Sequence, residues 1–122
     1  MKYLIIAEDN NASRALLVEF LKPTRINTLL ASNGKEAIDL FNDTSNNADL
    51  ILLDIQMPLL NGIQVTKMIR EVNKSFPIIA QTAYALEEEK QMCIEAGCSD
   101  HISKPIKRGE LIRIIKKHLG QN

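Results

Sequence analysis

The chain has 122 residues, of which 45% are hydrophobic, and these values suit one globular domain with its own core. Its 15 basic and 15 acidic residues leave no net charge, which argues against a surface built for nucleic acid or for an anionic membrane. No apolar run approaches the roughly 20 residues that span a bilayer, and the N-terminus turns acidic at Glu8, too early for a signal peptide. We therefore expect a single domain over residues 1–122, located in the cytoplasm, without nucleic-acid or membrane contacts.

Short aliphatic runs alternate with stretches of helical periodicity along the first half of the chain. The aliphatic runs predict strands over 3–7, 26–31 and 50–54, and the third contains four consecutive apolar residues, as expected for a strand buried on both faces. The helical stretches predict one helix from Ala12 to the stop at Pro23, and another that begins at a capping box over 33–36. The residues expected to face the core from these two helices are Ala12, Leu16, Leu17, Phe20 and Leu21, then Ala37, Ile38 and Phe41.

The same alternation continues through the second half. It predicts a helix from Gly62, a strand over 78–82, a helix over 86–96 that ends at Gly97, a brief strand over 101–105 and a last helix over 107–119. The expected core positions are Val65, Met68, Ile69 and Val72 in the first of these helices and Leu111, Ile112, Ile115 and Leu119 in the last. Glu87 to Glu89 complement the dipole at the start of the 86–96 helix and need no functional explanation. Cys93 and Cys98 lack redox or zinc-site spacing and are predicted to be buried, reduced thiols.

Alternation of five strands with five helices predicts a parallel sheet with helices on both faces and right-handed crossovers. We therefore predict an α/β, doubly wound, flavodoxin-like domain with strand order 2-1-3-4-5. In such a sheet the carboxyl ends of the strands open onto one rim, and that rim is where ligands bind.

Polar side chains follow four of the predicted strands. They are Glu8 and Asp9 after the first strand, Asp54 at the end of the third, Thr82 at the end of the fourth and Lys104 in the fifth. An acid at a strand end also suits a turn or a helix cap, so Asp54 taken alone does not indicate a functional site. Three carboxylates on one rim would repel one another unless a cation sat among them, and oxygen ligands without His or Cys select Mg²⁺ or Mn²⁺. A lysine and a hydroxyl beside the cation suit a phosphoryl group, which an Asp carboxylate can accept as an acyl phosphate.

The chain resembles the receiver domains of two-component response regulators from Tyr3 to Leu119. The motifs that carry the resemblance are Glu8-Asp9, Asp54-Ile-Gln-Met-Pro58 with Gly62, Thr82-Ala83 and Lys104-Pro105, in this order and each at a strand end. The resemblance implies that Asp54 accepts a phosphoryl group from a phosphohistidine of a histidine kinase or of a histidine phosphotransfer protein. It also implies that Glu8, Asp9, Asp54 and the backbone carbonyl of Gln56 hold Mg²⁺, while Thr82 and Lys104 contact the phosphoryl oxygens.

The resemblance gives roles to further positions, some of which depart from the common pattern. Glu8 is one methylene longer than the Asp often found there, so its link to the metal is expected to run through water; Glu-Asp-Asn here is similar to receivers attached to hybrid sensor kinases. His101 stands at the aromatic switch position, where the side chain follows Thr82 on phosphorylation, and the alternative is a rim histidine without a switching role. Gln56 and Tyr84 stand where access of water to the acyl phosphate is controlled, and a bulky Tyr84 either slows hydrolysis or packs on its own loop.

Two helix faces are candidate docking surfaces. Asn11, Ser13 and Arg14 border the acidic rim and are candidates for contact with a phosphodonor. Arg113, Lys116 and Lys117 lie on the last helix, a face that receivers use for dimers or effector contacts. A solvated helix face is the alternative for each of these residues, and His118 is expected to be solvated.

Two functions remain open from the sequence: a phosphoacceptor that catalyses its own phosphorylation and slow dephosphorylation, and an interaction module that is not phosphorylated. Modules of the second kind usually lose an acid or the lysine, whereas this chain keeps them. An aspartyl-phosphate hydrolase would carry a second Asp where Gln56 stands, and a flavin site would need a loop rich in Ser, Thr and Gly after the first strand. The signal, the cognate kinase, and the choice between a stand-alone regulator and a part of a hybrid kinase stay open.

Overall fold

Strands and helices alternate along the chain in the computed structural model, which describes residues 2–43, 47–83 and 87–120. The strands are β1 (Tyr3–Ala7), β2 (Asn27–Ala31), β3 (Leu50–Asp54), β4 (Ile78–Thr82) and β5 (Asp100–Ser103). The helices are α1 (Asn11–Leu21), α2 (Gly34–Asn42), α3 (Gly62–Val72), α4 (Glu87–Ala96) and α5 (Arg108–His118), and a short 3-10 turn (Lys22–Thr24) follows α1. In the described residues, no helix has the length and apolar character needed to cross a membrane.

The five strands form one sheet in the order β2-β1-β3-β4-β5, and every neighbouring pair is parallel. This order confirms the predicted doubly wound fold. The register pairs Ala7 with Leu53 and Asp54 with Gln81, so β1, β3 and β4 end close to one another at the centre of the sheet. The polar residues that follow these strands therefore meet at one edge.

The central strand β3 separates two apolar layers. Ile51 and Leu53 pack in the layer that α2 and α3 cover, whereas Leu50 and Leu52 pack in the layer that α1 and α5 cover. Every residue of β3 is buried, as its unbroken apolar run predicts. Asp54 ends this strand with only 2% of its surface exposed, so the polar site begins directly at the edge of the core.

The helices bury narrower faces than their apolar spacing predicts. Ala12 and Leu16 of α1 are exposed, and so are Met68 and Val72 of α3. In α5, Ile114 is buried although it was not among the expected core positions, whereas Ile112 and Leu119 are only half-buried. The expectation was wrong for the exposed positions of α1 and α3, because a helix that lies on a sheet turns only about 100° of its surface inward and apolar residues at the margin of the stripe stay in solvent. Ile112 and Leu119 still pack against the core.

Three helices that start beside the polar edge begin with an asparagine cap. Asn10, Asn33 and Asn61 each accept a hydrogen bond from the backbone N–H three residues later, at 2.8–2.9 Å. At α3 the cap is reciprocal, because Gln64 accepts in turn from the backbone of Asn61. At α2 the Glu36 carboxylate accepts from the backbone and hydroxyl of Ser32 rather than from Asn33, so the predicted capping box is displaced by one residue.

Gly62 brings the start of α3 against the end of β3. A Cβ atom at this position would lie 2.6 Å from both the backbone oxygen of Asp54 and the Cα of Ile55. The N–H of Gly62 donates to the carbonyl of Ile55 at 3.0 Å. Because a side chain does not fit here, glycine lets α3 pack directly behind the loop that carries Asp54.

The C-terminal end of α4 is fixed by its own turn and by α3. Gly97 has φ +109°, and the N–H groups of Gly97 and Cys98 donate back into the last turn of α4, as predicted for a C-terminal glycine. The Arg70 guanidinium of α3 donates to the carbonyl of Gly97 at 2.8 Å and to the Ser99 hydroxyl at 3.2 Å. The cysteines nearby are both free thiols; Cys93 is buried as predicted, whereas Cys98 is only partly buried.

Candidate functional site

The structure brings three of the predicted acids together at the carboxyl edge of the sheet. One carboxylate oxygen from each of Glu8, Asp9 and Asp54 lies within 4.8 Å of the other two. Glu8 and Asp54 are 1% and 2% exposed, whereas Asp9 faces solvent. The cluster is therefore a pair of buried carboxylates with a third at its open side.

Lys104 supplies positive charge to the two buried carboxylates. Its Nζ lies 2.8 Å from Oδ2 of Asp54 and 3.7 Å from Oε1 of Glu8. Partial burial would lower the pKa of Lys104, but the hydrogen bond and the charge of Asp54 outweigh it and raise the pKa above its usual value. The ammonium group therefore stays charged and partly offsets the negative charge of the pair.

Both carboxylate oxygens of Asp54 have donors. While Oδ2 accepts from Lys104, Oδ1 accepts from the backbone N–H of Gln56 at 3.0 Å. Two donors from separate loops fix the plane of the carboxylate, so Asp54 is held in one orientation at the rim.

Glu8 is the less satisfied of the two buried acids. Its Oε2 accepts from the backbone N–H of Asn10 at 3.3 Å, but its Oε1 has no hydrogen-bond partner among the described residues. Burial, followed by the hydrogen bond and the charge of Asp54, raises the pKa of Glu8 to about 7. A buried carboxylate oxygen that accepts no hydrogen bond from the described residues, beside two other carboxylates, fits a hard divalent cation, which prefers oxygen ligands.

The raised pKa of Glu8 predicts a stability that depends on pH and on Mg²⁺. Between its ordinary value of 4.5 and about 7, Glu8 is protonated in the folded protein and ionised in the unfolded chain. The free energy of unfolding should therefore fall as pH rises through this window, by an amount on the order of 3 kcal/mol. Urea unfolding followed by circular dichroism, at about pH 5 and about pH 8, measures the change.

Two further measurements, one with Mg²⁺ and one on a variant, test this expectation. Mg²⁺ needs the ionised carboxylate, so saturating Mg²⁺ should restore most of the stability lost at the higher pH and should have little effect at the lower pH. Glu8→Gln removes the titrating group and should flatten the pH dependence. A loss of stability with pH that is equally large in Glu8→Gln would contradict the assignment to Glu8.

Thr82 and His101 lie where β4 and β5 approach the site. Thr82 is fully buried, and its hydroxyl lies 3.4 Å from the hydroxyl of Ser103. His101 is half-buried in β5, and it lines a cavity of about 130 Å³ with Cys93 and Ile94 of α4. This position places His101 between the sheet and α4.

The first helix contacts the site through Arg14. Its Nη1 donates to the backbone carbonyl of Glu8 at 2.8 Å, and Arg14 is half-buried. Beside it, a pocket of about 180 Å³ lies between α1 and the segment that follows β5, next to Glu8 and Lys104. Its apolar lining includes Leu16 and Phe20.

Tyr84, predicted to control access of water, lies outside the described residues.

Two contacts of charged residues were not expected from the sequence. Glu89 accepts hydrogen bonds from the backbone N–H of Ala83 and from the side chain of Gln56, although the three glutamates were expected to act only on the helix dipole. His118 lies 3.0 Å from Oδ2 of Asp100, so the expectation that it is merely solvated was wrong. Nothing in the sequence distinguishes Glu89 from Glu88, because the two are chemically identical neighbours and only the path of the chain decides which one reaches the site.

Residues 4–116 match the response regulator receiver domain family. Among curated proteins, the polar-differentiation response regulator DivK of Brucella anthropi is 36% identical over 121 residues, which are 98% of this chain and 97% of that protein. Hybrid signal transduction histidine kinase I of Dictyostelium discoideum is 34% identical over 123 residues. The match covers 95% of this chain but only 7% of that kinase.

Solved structures of receiver domains are also similar to this chain. The receiver domain of sensor histidine kinase PA1611 from Pseudomonas aeruginosa, with a magnesium ion coordinated in its active site cleft, is 31% identical with a TM-score of 0.89, and the match covers 98% of each chain. A co-crystal structure of the Saccharomyces cerevisiae histidine phosphotransfer signaling protein Ypd1 with the receiver domain of its downstream response regulator Ssk1 contains a chain that is 30% identical, with a TM-score of 0.87. That match covers 95% of this chain and 87% of the other.

Proposed function

Since the chain belongs to the family of response regulator receiver domains, we propose that it accepts a phosphoryl group on Asp54 from a phosphohistidine donor in the presence of Mg²⁺. The observation that carries the proposal is the setting of Asp54. This buried carboxylate is oriented by Lys104 at 2.8 Å and by the Gln56 amide at 3.0 Å, within reach of two further acids.

The acidic cluster supports a metal in this reaction. Glu8, Asp9 and Asp54, which offer one carboxylate oxygen each, would hold Mg²⁺. The backbone carbonyl of Gln56 would be the fourth ligand. When bound, the metal would neutralise charge on the carboxylates and on the incoming phosphoryl oxygens. The solved receiver of PA1611 with magnesium in its cleft supports the choice of this ion.

The remaining steps belong to side chains of this chain. A carboxylate oxygen of Asp54 forms the new bond to phosphorus as the phosphorus–nitrogen bond of the donor breaks, and the donor imidazole leaves with the electron pair and takes up a proton. Lys104, already hydrogen-bonded to Asp54, moves its ammonium group to a phosphoryl oxygen and stabilises the developing charge. Thr82 donates its hydroxyl to another phosphoryl oxygen. Hydrolysis of the acyl phosphate later restores Asp54.

The phosphodonor in this proposal is a histidine kinase or a histidine phosphotransfer protein. The relatives support it, because one is a hybrid histidine kinase and one solved structure pairs a receiver with a histidine phosphotransfer protein. As the signal, we propose that His101 follows Thr82 when its hydroxyl turns to the phosphoryl group. We also propose the face of α5 around Arg113, Lys116 and Lys117 as a contact surface for a second copy of the receiver.

Phosphorylation by a small donor tests the proposed function. The protein is incubated with acetyl phosphate and Mg²⁺, and the intact mass and the site of the added group are measured. We expect one phosphoryl group per chain, located on Asp54, and none when the metal is removed with a chelator. Failure to incorporate phosphate with Mg²⁺ present would favour the alternative, an interaction module that works without phosphorylation.

A further inference from the structure

Glu89, in the first turns of α4, ties together the two loops that flank Asp54. Its Oε1 accepts from the backbone N–H of Ala83 at 2.9 Å, and its Oε2 accepts from the side-chain nitrogen of Gln56 at 3.0 Å. Ala83 directly follows β4, and Gln56 lies in the loop after β3. One carboxylate therefore connects β3, β4 and α4 at the carboxyl edge of the sheet.

The register of the sheet places both donors beside the phosphoacceptor. Asp54 pairs with Gln81 across β3 and β4, and Gln56 and Ala83 each lie two residues beyond that pair. They therefore stand at matching positions on neighbouring chain segments, just past Asp54. Glu89 also lines an open cleft of about 450 Å³ together with Asp9, Gln56 and Met92, so it shares this cleft with one member of the acidic cluster.

A phosphoryl group on Asp54 would compete with Glu89 for this position. Phosphoryl oxygens accept the same kind of hydrogen bond as a carboxylate, and the Ala83 N–H is a backbone donor that already holds an anion. A phosphoryl group also brings about two negative charges close to the negative charge of Glu89. Glu89 is half-buried rather than enclosed, so its side chain has a route to solvent when another anion takes its place.

We propose that Glu89 acts as a positioning residue that occupies the Ala83 amide in the resting protein and leaves it when Asp54 is phosphorylated. Its departure frees the Ala83 N–H for a phosphoryl oxygen and releases the first turn of α4, so that phosphorylation is transmitted to this helix. The negative charge of Glu89 slows phosphoryl uptake until then. This inference rests on the proposed function, because it assigns a regulatory role at the same site.

Glu89→Gln, with Glu88→Gln as the matched control, tests the effect on the rate. Glu88 is exposed, precedes Glu89 and carries the same charge, so the control reproduces the change in net charge. Initial rates of labelling by acetyl phosphate with Mg²⁺ are measured by intact mass. We expect Glu89→Gln to be labelled roughly threefold to tenfold faster than the wild type, the size expected for one partly screened charge near a dianion, and Glu88→Gln to stay within about twofold.

A second measurement follows the proposed release of α4. Backbone amide signals of uniformly ¹⁵N-labelled protein are recorded before and after addition of Mg²⁺ and beryllofluoride, an analogue of the phosphoryl group. In the wild type, we expect the signals of Ala83 and of residues 87–89 to move together. In Glu89→Ala, the signals of residues 87 and 88 should already lie near their shifted positions without the analogue, whereas Glu88→Ala should behave like the wild type.

The outcomes separate this inference from the proposed function. Equal acceleration by Glu89→Gln and Glu88→Gln would overturn the inference, because net charge alone would explain it. Slower labelling of Glu89→Gln would also overturn it, since Glu89 would then support uptake rather than oppose it. If the wild type were labelled on Asp54 but its residues 87–89 did not respond to the analogue, the inference would fail and the proposed function would stand. If the wild type were not labelled at all, the proposed function itself would fail.

Discussion

Asp54→Asn is expected to abolish uptake of phosphoryl groups from acetyl phosphate, with a loss of at least about 100-fold in the initial rate. Asparagine has nearly the shape of aspartate, but its amide does not form an acyl phosphate. The rate is measured by intact mass after incubation with Mg²⁺. The variant should remain folded, since the substitution removes one of two mutually repelling buried carboxylates and keeps an oxygen that accepts from Lys104 or from the Gln56 amide.

Asp100→Asn is a suitable control for this experiment. Asp100 begins β5 and pairs with His118 and Lys117, and it is not a member of the acidic cluster. Its substitution should leave the labelling rate within about twofold of the wild type, because a single distant charge is largely screened by salt. Labelling of Asp54→Asn at another residue, at a rate near that of the wild type, would show that Asp54 is not the acceptor.

Lys104→Ala is expected to weaken both the fold and the reaction. Removing the ammonium leaves Asp54 and Glu8 without the cation that contacts them, and loss of one partner from a fully buried ion pair costs about 3–5 kcal/mol. We expect a smaller loss, about 1–2 kcal/mol without Mg²⁺, because the Lys104 side chain is 38% exposed and partly solvated. Phosphoryl uptake should fall at least about tenfold, since the group that stabilises charge on the phosphoryl oxygens is missing.

Urea unfolding of Lys104→Ala with and without Mg²⁺ separates these two effects. A divalent cation among the carboxylates should restore most of the stability, but it should not restore the labelling rate, because the ammonium would still be missing. Lys107→Ala, which removes an exposed lysine three residues later, should change neither quantity appreciably. A wild-type labelling rate in Lys104→Ala would remove Lys104 from the proposed mechanism.

The order of the elements and the meeting of the acids could be predicted from the sequence because both follow from strong local signals. An unbroken apolar run identifies β3 as central, and parallel strands that end in polar residues must deliver these residues to one edge. The same reasoning did not predict the rotation of each helix about its own axis, which determines which of its residues face the sheet. Leu16 and Val72 continue an apolar stripe, yet they are 51% and 73% exposed because the sheet covers only part of that stripe.

Contacts made by long side chains across the fold could not be predicted from the sequence. Glu89 reaches Ala83, Arg70 reaches Gly97, and His118 reaches Asp100, and each of these contacts joins elements whose relative position is set by packing. The raised pKa of Glu8 has the same origin, since it depends on burial and on the distance to Asp54 rather than on any neighbour in sequence. Residue types at strand ends indicate which chemistry is available, whereas packing determines which charges are left unbalanced.

The way in which α4 is held indicates which motion the proposed phosphorylation of Asp54 would produce. Its C-terminal end is hydrogen-bonded to α3, because Arg70 donates to the carbonyl of Gly97 and to Ser99 just beyond the helix. Near its N-terminal end, the Glu89 carboxylate holds the helix to the Ala83 backbone and to the Gln56 side chain. Loss of these hydrogen bonds would let α4 rotate about its C-terminal end at Gly97. The largest displacement would then arise at the end of the helix nearest Asp54.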